Sequence, residues 1–99
     1  MGWRKIVILP SVVENIAEAA WFIESKGMVA TAEKFSDSVY DFIGSLADER
    51  VIHPPCRDPE RNGLGMKCKT FREKYTIVFM DTSKEIIVYE FLPSKMIRW

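Results

Sequence analysis

Two stretches of helical periodicity lie back to back in this chain, and they restrict the possible fold more than any other feature. In the second stretch Ala32, Phe35, Val39, Ile43 and Leu46 recur at intervals of three and four, with Glu33, Lys34, Asp37 and Asp41 on the other side. In the first, Val13, Ile16, Ala20 and Ile23 repeat at helical spacing, and Ser11 followed by Glu14 reads as a capping box at its start. Lys26-Gly27 supplies the stop. Only a tight turn separates the two segments, so the helices must lie roughly antiparallel as a hairpin. Their apolar stripes then need a common partner from elsewhere in the chain.

Strand-like runs supply it. Arg4-Lys5 leads into the β-branched run Ile6 to Leu9, which Pro10 ends because it has no N–H to give to a ladder. After the helices, the segment from Arg50 to Gly65 carries Pro54, Pro55, Pro59, Asn62 and two glycines, which is loop chemistry. Three further runs follow at Met66–Arg72, Tyr75–Met80 and Glu85–Leu92, separated by Glu73-Lys74 and by Asp81 to Lys84, and they read as an antiparallel meander. The order is β-α-α-β-β-β. It predicts an α+β domain over residues 1–99, with a helix hairpin on one face of a small, mainly antiparallel four-stranded sheet and the other face left open. At 99 residues and 47% apolar the chain fits one core and cannot fill two.

The formal net charge is zero, which argues against polyanion binding by the whole surface, but the charge is unevenly placed. Residues 11–50 carry eight acids against three bases; residues 51–80 carry six bases against three acids. The bases gather around G-M-K-C-K-T-F-R, Gly65 to Arg72. Side chains alternate along a strand, so Lys67 and Lys69 share a face, with Met66, Cys68 and Thr70 on the other. That pattern predicts the two lysines on the open face, where they form a cradle for a phosphate and one of them is placed to act as a base. Arg72 and Lys74 follow directly. Arg57, Arg61, Lys95 and Arg98 join the same patch if the loop and the C-terminal segment fold over it. Lysines on a strand face also commonly serve only as solvated charge that discourages edge pairing.

Cys56 and Cys68 stand without a disulfide framework, and no signal peptide precedes the first strand, so reduced thiols in a reducing cytoplasm are the expectation. His53 is the only histidine, which excludes a histidine triad or a multi-histidine metal site. Its position before Pro54-Pro55 reads as a loop residue. No apolar run reaches the roughly 20 residues that span a bilayer, so no membrane partner is expected. Tyr89 reads as a core residue sharing a face with Ile87 and Phe91, and Glu90, on the opposite face, as a partner for Lys69 or Arg72. Of Trp3, Trp21 and Trp99, one or two are expected at the surface, where aromatic rings anchor partner peptides.

Taken together, the element order, the A-x-x-F-x-x-x-V-x-x-x-I-x-x-L pattern from Ala32 to Leu46, the proline and glycine loop, the Lys-x-Lys strand, Y-T-I-V-F and I-I-V-Y-E-F resemble the RelE/ParE toxin superfamily of bacterial type II toxin–antitoxin systems, over essentially the full chain. The resemblance implies a cytoplasmic toxin neutralised by a cognate antitoxin in a hetero-oligomer, with no cofactor and no metal. It implies one of two actions. A RelE-like chain would be a metal-independent endoribonuclease acting on mRNA in the ribosome, with Lys67, Lys69 and Arg72 as catalytic residues. A ParE-like chain would bind DNA gyrase and need no catalytic constellation. The arginine that RelE-like toxins carry after the strand tyrosine is Thr76 here, after Tyr75, and the tail Leu92 to Trp99 offers only Lys95 and Arg98, at a different spacing, with Met96 between them. Loss of one charge clamp from a preorganised site costs a factor of about 10² to 10³ in rate, so the ParE-like, plasmid-stabilisation reading leads. The ribonuclease is second, and a non-toxic relative that retains antitoxin binding is third.

Overall fold

The computed structural model describes residues 3–48 and 50–96, and the elements follow the expected order. Strand β1 is Lys5–Ile8, helix α1 Pro10–Glu24 and helix α2 Val29–Ser45. A short helix α3, Pro59–Gly63, interrupts the loop, and strands β2 Lys67–Phe71, β3 Tyr75–Asp81 and β4 Glu85–Pro93 complete the sheet. A single 3₁₀ turn, Ser94–Met96, follows. The sheet order is β1-β4-β3-β2, with β1 parallel to β4 and the other pairings antiparallel. The parallel contact is the one that needs a long connection, and the helix hairpin, the loop and the β2–β3 hairpin together supply it.

The helix stripes meet one face of the sheet. Val12, Ile16, Phe35, Val39, Ile43 and Leu46 pack against Phe71, Ile77, Phe79, Ile86, Val88 and Phe91, all buried. The α2 stripe is as its spacing predicts. In α1 Val12 is buried with Ile16, while Val13 is 44% exposed. The cause lies at the helix start. Pro10 occupies the first helical position, where its missing N–H costs nothing, and Leu9 is the N-cap without a side-chain hydrogen bond. Ser11 is therefore inside the first turn and makes no capping box.

The second face is not open. Cys56, Cys68 and Val78 are buried there with Met66 and Leu92 against them, so the loop covers the sheet and adds a small apolar cluster. Cys56 and Cys68 are joined by a disulfide, with their Cα atoms 4.7 Å apart. The expectation of separate, reduced thiols is thereby overturned, and with it their argument for a reducing compartment. The spacing of 12 residues fits no metal pattern, but it suits a loop that returns onto the strand it precedes. Asp58 caps α3 by accepting from the Glu60 N–H, with Pro59 at its first position. His53 is 2% exposed, its Nε2 donating to the Leu46 carbonyl at 3.1 Å and its ring edge-on to Phe79. It is a packed anchor where the loop leaves α2.

Strict alternation fails once along β4. Val78 pairs with Glu90 while Phe79 pairs with Val88, so Tyr89 is an extra residue opposite the junction. This β-bulge lets Ile86, Val88 and Phe91 all enter the helix-side core, although the last has the opposite parity. Tyr89 and Ile87 are half-buried rather than core residues. Among the described residues no helix is long and apolar enough to cross a membrane.

Candidate functional site

Phe71 fixes where the basic strand points. It lies edge-on to Phe35 and Phe42 of α2, at 6.1 and 5.3 Å, so its side of β2 is the helix side. Lys67 and Lys69 have the same parity and pair with Phe79 and Ile77, both helix-side core residues. The lysines therefore lie on the helix side of the edge strand and not on the opposite face, contrary to the expectation. Lys69 Nζ sits 5.5 Å from the centre of the Phe42 ring, a cation–π contact at the margin of α2. The apolar character of Met66 and Cys68 pointed to the helix-side core, but those residues serve the second cluster.

Arg61 does fold over the second face, and its charge is consumed there. Its Nε and Nη2 donate to the two Glu90 carboxylate oxygens at 2.8 and 2.9 Å, and its Nη1 is ion-paired with Asp58. The fork to Glu90 holds the guanidinium pKa above its ordinary value, with Asp58 adding to it. Glu90 thus partners Arg61 rather than Lys69 or Arg72. Arg72 is exposed in the β2–β3 turn with its guanidinium 5.0 Å from the Phe71 ring centre.

The remaining predicted cations border two adjoining cavities at one end of the sheet. The larger, about 610 Å³, is lined by Pro54, Pro55 and Arg57 of the loop, Cys68, Lys69 and Thr70 of β2, and Glu73 and Ser94. The smaller, about 390 Å³, shares Glu73 and Ser94 and adds Lys74, Tyr75, Pro93 and Lys95. Arg57 and Lys69 both border one cavity, although the Lys69 ammonium is directed to the Phe42 ring on the helix side, and Lys74 and Lys95 border the next. Lys67, Arg61 and Arg72 line neither, and Arg98 lies outside the described residues. Among the described residues no carboxylate lies within 4.0 Å of Arg57, Lys69, Lys74 or Lys95.

No family model matches the chain, and no curated protein matches it.

Thr76, at the position of the expected arginine clamp, is fully buried, and its Oγ1 lies 2.8 Å from Ser94 Oγ. The pair is neutral and places no cation beneath the cavities. Ser94, held by its N–H to the Lys74 carbonyl at 2.9 Å, has no mark in the sequence. Nor have Thr70 and Glu73, since isolated hydroxyls and one acid in a basic run carry no pattern. Trp3 and Trp21 are exposed, at 65% and 68%, while Trp99 lies outside the described residues. Among the described residues no three of histidine, cysteine, aspartate and glutamate converge as metal ligands do.

Proposed function

We propose that this chain is the toxin of a bacterial type II toxin–antitoxin pair of the ParE-like kind, acting in the cytoplasm by binding a protein target such as DNA gyrase and neutralised by a cognate antitoxin in a hetero-oligomer. The observation that carries the choice of branch is the hydroxyl pair of buried Thr76 with half-buried Ser94 where a nuclease would need a cation. Two further arrangements support it. Lys67 and Lys69 are on the helix side of β2, and Arg61 is neutralised by Glu90 and Asp58. Transition-state stabilisation of a phosphoryl group requires positive charges aimed at one point, whereas a binding surface tolerates charges spread along an edge.

The test is inducible expression in a bacterial host lacking the antitoxin, alongside the Lys67→Ala, Lys69→Ala double variant. Growth arrest with intact transcripts and altered plasmid supercoiling is expected, and the double variant should arrest growth as the wild type does. Cleaved transcripts that disappear in the double variant would establish the ribonuclease instead. Absence of arrest would leave a non-toxic relative.

A further inference from the structure

The outer edge of β2 is half covered by the chain's own loop. The Cys56 N–H donates to the Met66 carbonyl at 3.1 Å, and Pro55 bridges Lys67 in antiparallel fashion. An extended segment thus already adds to this edge over its first residues. Backbone groups alternate in direction along a strand, so the outward positions are Met66, Cys68 and Thr70. Lys67, Lys69 and Phe71 face β3, consistent with the Phe71 carbonyl accepting from Lys74 N–H in the hairpin turn. The loop turns away at Pro54. Beyond it Thr70 is exposed with its N–H and C=O directed out of the sheet, and among the described residues no strand lies past β2. The 610 Å³ cavity opens beside this uncovered stretch.

We propose that the free half of the β2 edge, from the Cys68 carbonyl to Thr70, receives an extended acidic peptide from a partner protein, which adds as a strand where Pro54–Cys56 leaves off and sets its carboxylates against Arg57, Lys74 and Lys95. Backbone pairing at an exposed edge supplies affinity, and side chains on alternate residues supply specificity. The charge selects the class of partner, because Arg57, Lys74 and Lys95 border the two cavities against one acid, Glu73. A peptide is favoured over single-stranded nucleic acid for two reasons. Base stacking needs an aromatic face, and the one aromatic ring lining these cavities, Tyr75, is stacked on Phe91 at 4.9 Å. A nucleotide chain also has no amides to pair with Thr70. Peptide addition at this edge does not depend on the toxin reading, and its test uses purified protein.

The probe is a fluorescein-labelled decapeptide alternating valine and glutamate, titrated with the full chain by fluorescence polarisation. Matched probes carry lysine for glutamate, N-methyl groups on alternate amides, or a uridylate decamer. The acidic peptide should bind, more weakly at 300 mM than at 50 mM salt, and should slow hydrogen exchange at the Thr70 amide. Thr70→Pro removes an outward N–H and leaves the β3 ladder intact, as proline is tolerated when its N would face away from the sheet. It should weaken binding roughly fivefold, in line with one lost hydrogen bond. Arg57→Glu, at an exposed site, should weaken it about tenfold or more, the equivalent of about 1.4 kcal/mol. The N-methylated probe should fail with unaltered protein, which keeps the test decisive if Thr70→Pro does not fold. Absence of binding by the acidic peptide, equal binding of its N-methylated form, or tighter binding of the uridylate decamer would each overturn the proposal.

Discussion

Asp48 shows how much a single side chain can settle at the seam between the helices and the sheet. Its carboxylate accepts from the Arg50 N–H at 2.9 Å, from Arg50 Nε at 3.0 Å and from Nη2 at 2.8 Å, while its backbone pairs with Trp3 and accepts from Arg4. The Arg50 side-chain bonds, then its backbone N–H, hold the Asp48 pKa down from 3.8 to about 2. A carboxylate with a depressed folded-state pKa binds its proton more readily when unfolded. Its contribution is therefore complete above the unfolded value near 3.8 and is lost as pH falls toward 2. Asp48→Asn should remove this dependence. Urea denaturation at pH 5, 3.5 and 2.5 should show the variant losing less stability than the wild type over that interval, and parallel losses would show that the Arg50 bonds contribute nothing. Arg4, which reaches the Asp48 carbonyl at 3.2 Å and Asp81 at 3.6 Å, keeps a buried Nε without a hydrogen-bond partner. The polar contacts at this seam thus include one donor whose desolvation is uncompensated.

At the scale of elements, the β2–β3 hairpin is where local preference and global fold disagree most. Arg72 and Glu73 have φ of 53° and 60°, and the Lys74 N–H donates to the Phe71 carbonyl across them, a turn of the I′ kind. Glycine and asparagine favour that conformation; arginine and glutamate resist it by about 1 kcal/mol each. The double variant Arg72→Asn, Glu73→Gly should therefore raise stability by about 1–2 kcal/mol and the Tm by at least roughly 4 °C, measured by thermal denaturation. An unchanged Tm would mean that the Arg72 contact with Phe71 offsets the backbone cost. This turn is only partly legible in the sequence: a break at Glu73-Lys74 is visible, but its conformation is not, because neither residue carries a turn signal. The same limit explains the face of β2. Helix periodicity identifies a single apolar side, so the buried stripe of α2 is legible, whereas β2 is apolar on both sides, with Phe71 for the helices and Cys68 for the loop. The bulge at Tyr89 has no sequence mark. Asp58-Pro59-Glu60 does have one, an N-cap followed by proline, yet it is submerged in a segment whose prolines and glycines read as loop.

At the scale of the molecule, the sheet is covered on both faces by layers of different construction. The helix layer rests on a dozen interdigitated apolar side chains, while the loop layer rests on a small cluster and three ties. Those ties are the disulfide, the Arg61 fork to Glu90, and the Cys56 N–H bond to the Met66 carbonyl at 3.1 Å. The disulfide also borders the basic cavity, since Cys68 lines it together with Pro54, Pro55 and Arg57 of the loop. Closing a loop of 12 residues restricts the unfolded chain by an entropy worth roughly 3 kcal/mol. Reduction isolates this quantity better than substitution, because both sulfur atoms are retained and no polar group is introduced. Denaturation of the wild type with and without dithiothreitol should differ by about that amount, and the Cys56→Ser, Cys68→Ser variant should be insensitive to reductant. If reductant leaves the wild type unchanged, the cross-link contributes nothing and the ion pairs, the backbone bond to Met66 and the small apolar cluster hold the loop. If the loss is as expected, the layer that shapes the basic cavity is the less stable of the two in a reducing cell, and the helix-side core carries the fold without it.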